Sequence, residues 1–237
     1  PAPRKAAVQP PVPPPPPPDP PYVAAAKGRA KIPFWAMAAL SIMPVWMFMY
    51  VRALTEPPDV IAGPLGVGAE TYGSCSSCHG ATGDGGVGRQ FSDGEVLLTF
   101  PHIEDQLRYV YFGTVGYNLA GVEIYGNPER PGGAYAVGSF GGNMPAQGGD
   151  LTDDEILGVV CHERYTLGGA DPASDEYITE FENWCTEDSP IFAALEEGVA
   201  LADVHDEGLV DADGEPIAII PIGDEPVAGS PPGPPAG

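Results

Sequence analysis

Two thiols and an imidazole stand within one short run, Cys75-Ser-Ser-Cys78-His79. Cysteines at this spacing can each form a thioether to a vinyl group, and the adjoining imidazole can bind iron. C-x-x-C-H is the attachment signature of a c-type haem, with the histidine as proximal ligand. One covalently bound haem c, held through Cys75 and Cys78 and ligated by His79, is therefore the expected cofactor. Zinc is the competing metal, but a structural zinc site needs a four-ligand set that this spacing does not offer.

An iron that only passes electrons wants a sixth ligand. Met37, Met43, Met47 and Met49 all lie in one apolar run, and Met144 is the only methionine elsewhere. It occupies Gly141-Gly-Asn-Met-Pro145, a stiff loop ahead of a helix signal. A thioether favours ferrous iron and raises the potential of a histidine-ligated haem, so Met144 is the expected second axial ligand. Arg89, just past a glycine-rich turn, could pair with a haem propionate. His102 reads as part of a helix start, His162 as a packed helix residue rather than a rival ligand, and His205 as solvated. No catalytic residue is expected.

The elements that position these residues are mostly helical. Gly68 to Cys75 reads as a short helix running into the motif. Gly80 to Gly88 is a turn that lets backbone pass close to a ring. Ile103, Leu107, Val110 and Tyr111 fall on one helix face, and Gly113 should stop that helix. Residues 113–150 read as glycine-rich and irregular. Thr152-Asp-Asp-Glu155 is a capping box. It opens a helix with Ile156, Val159 and Val160 as its stripe, and Gly168-Gly169 ends it.

Residues 66–168 resemble a class I cytochrome c domain. The match rests on Tyr72, Cys75, Cys78, His79 and Gly80 at the front. At the back it rests on Met144-Pro145 and the helix Leu151-Thr-Asp-Asp-Glu-Ile-Leu-Gly-Val-Val. The resemblance implies a small all-α fold with its first and last helices crossing beside a haem whose edge is exposed. It also implies haem attachment on the outer side of a bacterial membrane. Cys161-His162 stands where an aromatic is usual. The segment before Met144, with Tyr117, Tyr125 and Tyr135, is longer than in minimal members and could shield the haem or build a docking surface.

Ile32 to Val51 is a run without a charge. As a helix it spans about 30 Å, the thickness of a bilayer's hydrocarbon core. Trp35, Trp46 and Tyr50 lie toward its ends, and Pro44 predicts a kink. The run is too long for a cleaved signal peptide. Five of the ten basic residues precede it, against Asp19 alone, whereas four basic and 32 acidic residues follow Arg52. The basic flank predicts a cytoplasmic N-terminus, with everything after Arg52 on the periplasmic or extracellular side of the cell membrane. The acidic surface argues against nucleic acid and anionic headgroups and favours a basic partner surface. In an oxidising compartment Cys161 and Cys185 are expected to pair as a disulfide.

The organisation follows: a proline-rich tail over 1–31, a membrane helix over 32–54, a linker over 55–65, the haem domain with a disulfide-stapled extension over 66–185, and an acidic then Pro/Gly-rich tail over 186–237. The tail after residue 203 is expected to hold little fixed structure. The expected function is a membrane-anchored carrier of single electrons in a respiratory chain. It would be a subunit of, or link between, a quinol-oxidising complex of the cytochrome bc or alternative type and a terminal oxidase. Expected partners are those complexes and the haem-attachment machinery, with no small-molecule substrate. The alternative is a haem enzyme or gas sensor with a labile sixth ligand.

Overall fold

A computed structural model describes residues 13–29, 32–55 and 62–233. The chain divides into two compact units, Pro1–Pro58 and Asp59–Gly237. Most of the expected linker, the first part of the proline-rich tail and the last four residues lie outside the described residues.

In the first unit, α1 (Pro21–Lys27) carries a proline in its first turn, where a missing N–H costs nothing. Lys27 reaches back to Asp19 at 2.6 Å. A helix inside the proline-rich tail was not expected. The second helix, α2 (Phe34–Thr55), contains Pro44. Its segment Phe34–Arg52 has a mean hydropathy of 1.7 and is unburied along its whole length. A helix this apolar, with Leu40, Met43, Trp46 and Phe48 all facing outward, is long and apolar enough to cross a membrane.

The second unit is mostly helical. Its centre is the crossing of α3 (Pro64–His79) and α6 (Asp153–Cys161). Gly68 and Gly158 make the close approach possible: a Cβ on Gly68 would lie 1.9 Å from the Gly158 carbonyl oxygen. Glu155 accepts from the Thr152 N–H and hydroxyl, each at 2.9 Å, and fixes the start of α6. Ile156, Leu157, Val159 and Val160 are essentially sealed from solvent, each worth about 1.5–3 kcal/mol of burial. After α6 the helix widens into a π-type turn, His162–Leu167, that ends at Gly168. There two consecutive charged residues, Glu163 and Arg164, are buried. Cys161 and Cys185 form the disulfide, Cα atoms 5.6 Å apart.

Between these helices lie α4 (Glu95–Thr99) and α5 (Ile103–Ala120). Gly113 interrupts α5 with φ 58° and ψ 177°, where the sequence predicts a stop. Helix then resumes to Ala120, which the glycine content had concealed. In keeping with a mostly helical chain, strand is almost absent, limited to a two-residue antiparallel ladder pairing β1 (Ile124–Tyr125) with β2 (Tyr135–Ala136) and one isolated bridge among the described residues.

The C-terminal tail departs from expectation beyond residue 203. After the short helix α7 (Pro190–Glu196), which buries Ile191, and the buried Leu201, both Val204 and Ile222 are also buried in the core. The irregular stretch 220–230 is strapped to α5. Glu104 accepts from Ile220 N–H, Arg108 donates to the Pro221 and Ile222 carbonyls, and Asp105 accepts from Ser230 N–H. Acidic, proline-rich composition suggested no core here. The few apolar residues are nevertheless spaced to fill gaps, and buried charges on α5 satisfy the tail's backbone.

Candidate functional site

The last turns of α3 carry Cys75, Cys78 and His79 to the rim of a cavity of about 450 Å³. Cys78 is exposed and Cys75 half-buried, both as free thiols. Burial above all, then the Glu163 carboxylate, pushes the Cys75 thiol up to about 11. Tyr72 anchors the turn beyond the motif by donating to the Gly80 carbonyl at 2.7 Å.

The His79 ring is fixed on two sides. Its Nδ1 lies 2.7 Å from the Arg89 carbonyl oxygen. A carbonyl only accepts, so Nδ1 carries the proton and Nε2 keeps its lone pair. Phe91 stacks on the ring at 4.3 Å and 15°. Burial lowers the pKa of His79 below the usual imidazole value, with the Arg89 carbonyl opposing that shift. Gly88 packs against the ring: a Cβ there would stand 2.7 Å from Cε1. A neutral imidazole, oriented by a backbone carbonyl and with one free nitrogen, is the form that ligates metal.

The facing wall is built on the break in α5. At a break, helical carbonyls lose their partners and need others. Here Gln147 N–H donates to the Val110 carbonyl and Gly148 N–H to that of Tyr111, at 3.2 and 3.0 Å. Thr114 N–H donates to the Met144 carbonyl at 2.9 Å, and the Thr114 hydroxyl accepts from Met144 N–H at 3.0 Å. Pro145 rests directly on Gly113, where a Cβ would come within 2.5 Å of its carbonyl. Met144 is thereby brought to the same cavity as Cys75, Cys78 and His79.

The rest of the lining is largely apolar or aromatic, including Val96, Phe100, Val110, Tyr109 and Tyr125. Tyr109 and Tyr125 stack at 4.1 Å, and burial raises both phenols above their ordinary range. Arg89 also lines the cavity. It donates to the Tyr125 hydroxyl at 2.7 Å and the Ser139 hydroxyl at 3.1 Å, with its guanidinium 3.4 Å above the Tyr135 ring. Arg130 lies against the same ring at 4.1 Å and pairs with Glu95.

Every residue singled out in the sequence for this centre, Cys75, Cys78, His79, Arg89 and Met144, borders one cavity. His162 is not among its lining residues and packs on Tyr72 at 5.3 Å. His102 bonds the Pro231 carbonyl at 2.9 Å. His205 is partly buried rather than solvated and contacts Asp206 at 3.4 Å. Sequence reasoning missed Tyr109, Gln106 and Glu163, which carry no motif, whereas Gly88 belongs to the glycine turn expected to pass close to a ring. Among the described residues no cluster of three or more His, Cys, Asp or Glu forms a cation site. His79 and Met144 instead both line this one largely apolar cavity. The chain matches no protein-family model, no curated protein and no solved structure in the three comparisons made.

Proposed function

We propose that the chain is a membrane-anchored, monohaem c-type cytochrome with a class I-like domain, carrying single electrons in a respiratory chain. The observation that carries the reading is a convergence: the Cys75–Cys78–His79 run and the remote Met144 open onto one largely apolar cavity. The α3–α6 crossing at Gly68 and Gly158 supports the same reading, since crossed first and last helices are what the resemblance implies.

A bound haem would supply a one-electron ferric/ferrous couple. The chain's own residues do the rest. Cys75 and Cys78 would tether it as thioethers. His79 would present Nε2 while its Nδ1–H stays on the Arg89 carbonyl, and Met144, lining the same cavity, would present its thioether. Tyr109, Tyr125, Phe100 and Val96 exclude water. Arg89, held by Tyr125 and Ser139, offers positive charge to a propionate. Were His79 and Met144 both to hold the iron, they would leave no open position for a substrate, which favours a relay over an enzyme.

The apolar α2 would hold the unit to the cell membrane, basic flank in the cytoplasm and haem unit outside, raising its effective concentration near its partners. Partners would be a quinol-oxidising complex and a terminal oxidase, with a basic docking surface to match the acidic domain. The test is spectroscopy of the membrane-extracted protein. A low-spin ferric spectrum with a methionine–iron charge-transfer band, lost in Met144→Ala, supports the relay. High-spin ferric haem, or ready carbon monoxide binding to the untreated ferrous protein, overturns it in favour of an enzyme or gas sensor.

A further inference from the structure

A buried carboxyl borders the cavity that the relay does not use. Glu163 is 3% exposed, lies in the π-type turn after α6 and lines the same cavity as His79 and Met144. Its hydrogen-bond partner is a neutral amide, Gln106 Nε2, at 2.8 Å. The adjacent cation does not compensate it. Arg164 is committed to Glu180 through two contacts of 2.7 and 2.8 Å, and gives Gln106 Oε1 only a long bond of 3.3 Å. The Tyr165 hydroxyl donates to Glu180 as well, at 2.9 Å.

Among the described residues, Arg89 also lines the cavity but is held by Tyr125 and Ser139, and the other neighbouring elements bring no positive charge to Glu163. From α3, Tyr72 and Cys75 feel its negative charge. On α4, the one charged residue, Glu95, is taken by Arg130. On α5, Gln106 is the contact, while Asp105 and Arg108 neutralise each other at 2.6 Å. His162, preceding it, packs on Tyr72. A carboxylate sealed from water without a cation is costly and favours its protonated form.

We propose that Glu163 is a redox-linked proton site, a reading that rests on the haem assignment above. With a haem bound, Glu163 would take one proton from solvent as an electron arrives from the donor. On oxidation the acceptor removes the electron and Glu163–COOH returns the proton. The two charges entering the cavity cancel, so the relay moves one electron and one proton together. Desolvation already pushes Glu163 up to about 8, opposed only by the Gln106 bond. That value is close enough to neutrality for one added charge to decide protonation.

The test measures the midpoint potential of the purified, full-length, haem-loaded protein from about pH 5 to pH 10, for wild type and Glu163→Gln. In the coupled window each tenfold fall in proton activity lowers the wild-type potential by up to about 59 mV, and the variant is flat there. Equal slopes in the two proteins overturn the proposal. If Glu163→Gln does not fold, redox-difference infrared of the wild type decides. A deuterium-sensitive band of a protonated carboxyl that grows on reduction supports Glu163, and a silent carboxyl region overturns it. Intact mass separates the two levels: wild type without covalent haem overturns the haem assignment and this site with it. A haem-loaded protein with matching slopes overturns only the proton site.

Discussion

The two walls of the cavity are built in opposite ways. On the histidine wall, Cys75, Cys78 and His79 share the end of one helix, and the carbonyl that orients the ring comes from ten residues away. On the methionine wall, Met144 hangs on a loop whose backbone bonds run to a break in α5, thirty residues earlier in the case of Thr114. A ligand on a helix end is positioned by local geometry. A ligand on a loop is only as well placed as the remote element that receives it. The first wall should therefore fail chemically and the second conformationally.

The largest effect should come from His79→Ala. With the orienting bond and the proximal nitrogen both gone, haem incorporation falls to near zero, read as haem stain per unit of protein. Met144→Ala should do less. The thioethers and His79 keep the haem, while the ferric spectrum turns high-spin and the potential falls. If the two variants behave alike, the asymmetry between the walls is wrong.

Smaller effects separate the walls without touching a ligand. Gly113→Ala places a side chain at positive φ and against Pro145, and should cost about 1–3 kcal/mol in urea unfolding. It should also weaken the methionine charge-transfer band while His79 ligation persists. Gly88→Ala should do the reverse, disturbing the imidazole and sparing the methionine loop. Thr114→Val removes one hydrogen bond to Met144 N–H and should cost about 1 kcal/mol, with a small loss of methionine ligation.

Acid should act on the histidine wall in the haem-free protein. Burial lowers the His79 pKa in the fold, whereas in the unfolded chain it sits near the usual value of about 6.5. As pH falls through that value the unfolded state gains the proton first, so stability declines with acid. Urea midpoints at a series of pH values should show this decline in wild type and a shallower one in His79→Gln.

The same contrast explains what the sequence could reveal. The histidine wall is compressed into Cys75–His79 plus a glycine turn, so residue type and spacing carried most of it. Met144 was singled out by elimination, but the loop contacts that bring it to the cavity were not legible. Gly113 reads as a helix stop, and nothing in the residues says that its freed carbonyls will receive a loop from 144–148. Glu163 was invisible because a lone glutamate among 33 acidic residues looks solvated. Only the π-type turn and the commitment of Arg164 to Glu180 bury it without a cation. The tail after residue 203 misled for the opposite reason. Composition gave its average polarity, whereas packing depends on where Val204 and Ile222 fall.

The central claim is that Cys75, Cys78 and His79 carry a covalent haem. The direct measurement is peptide mass and thiol alkylation of the full chain, produced with a c-type haem-attachment machinery and extracted from membranes. The account predicts a peptide containing Cys75–His79 heavier by one haem, with both thiols inert to alkylation and the Cys161–Cys185 disulfide intact. A colourless protein whose Cys75 and Cys78 both alkylate would contradict it.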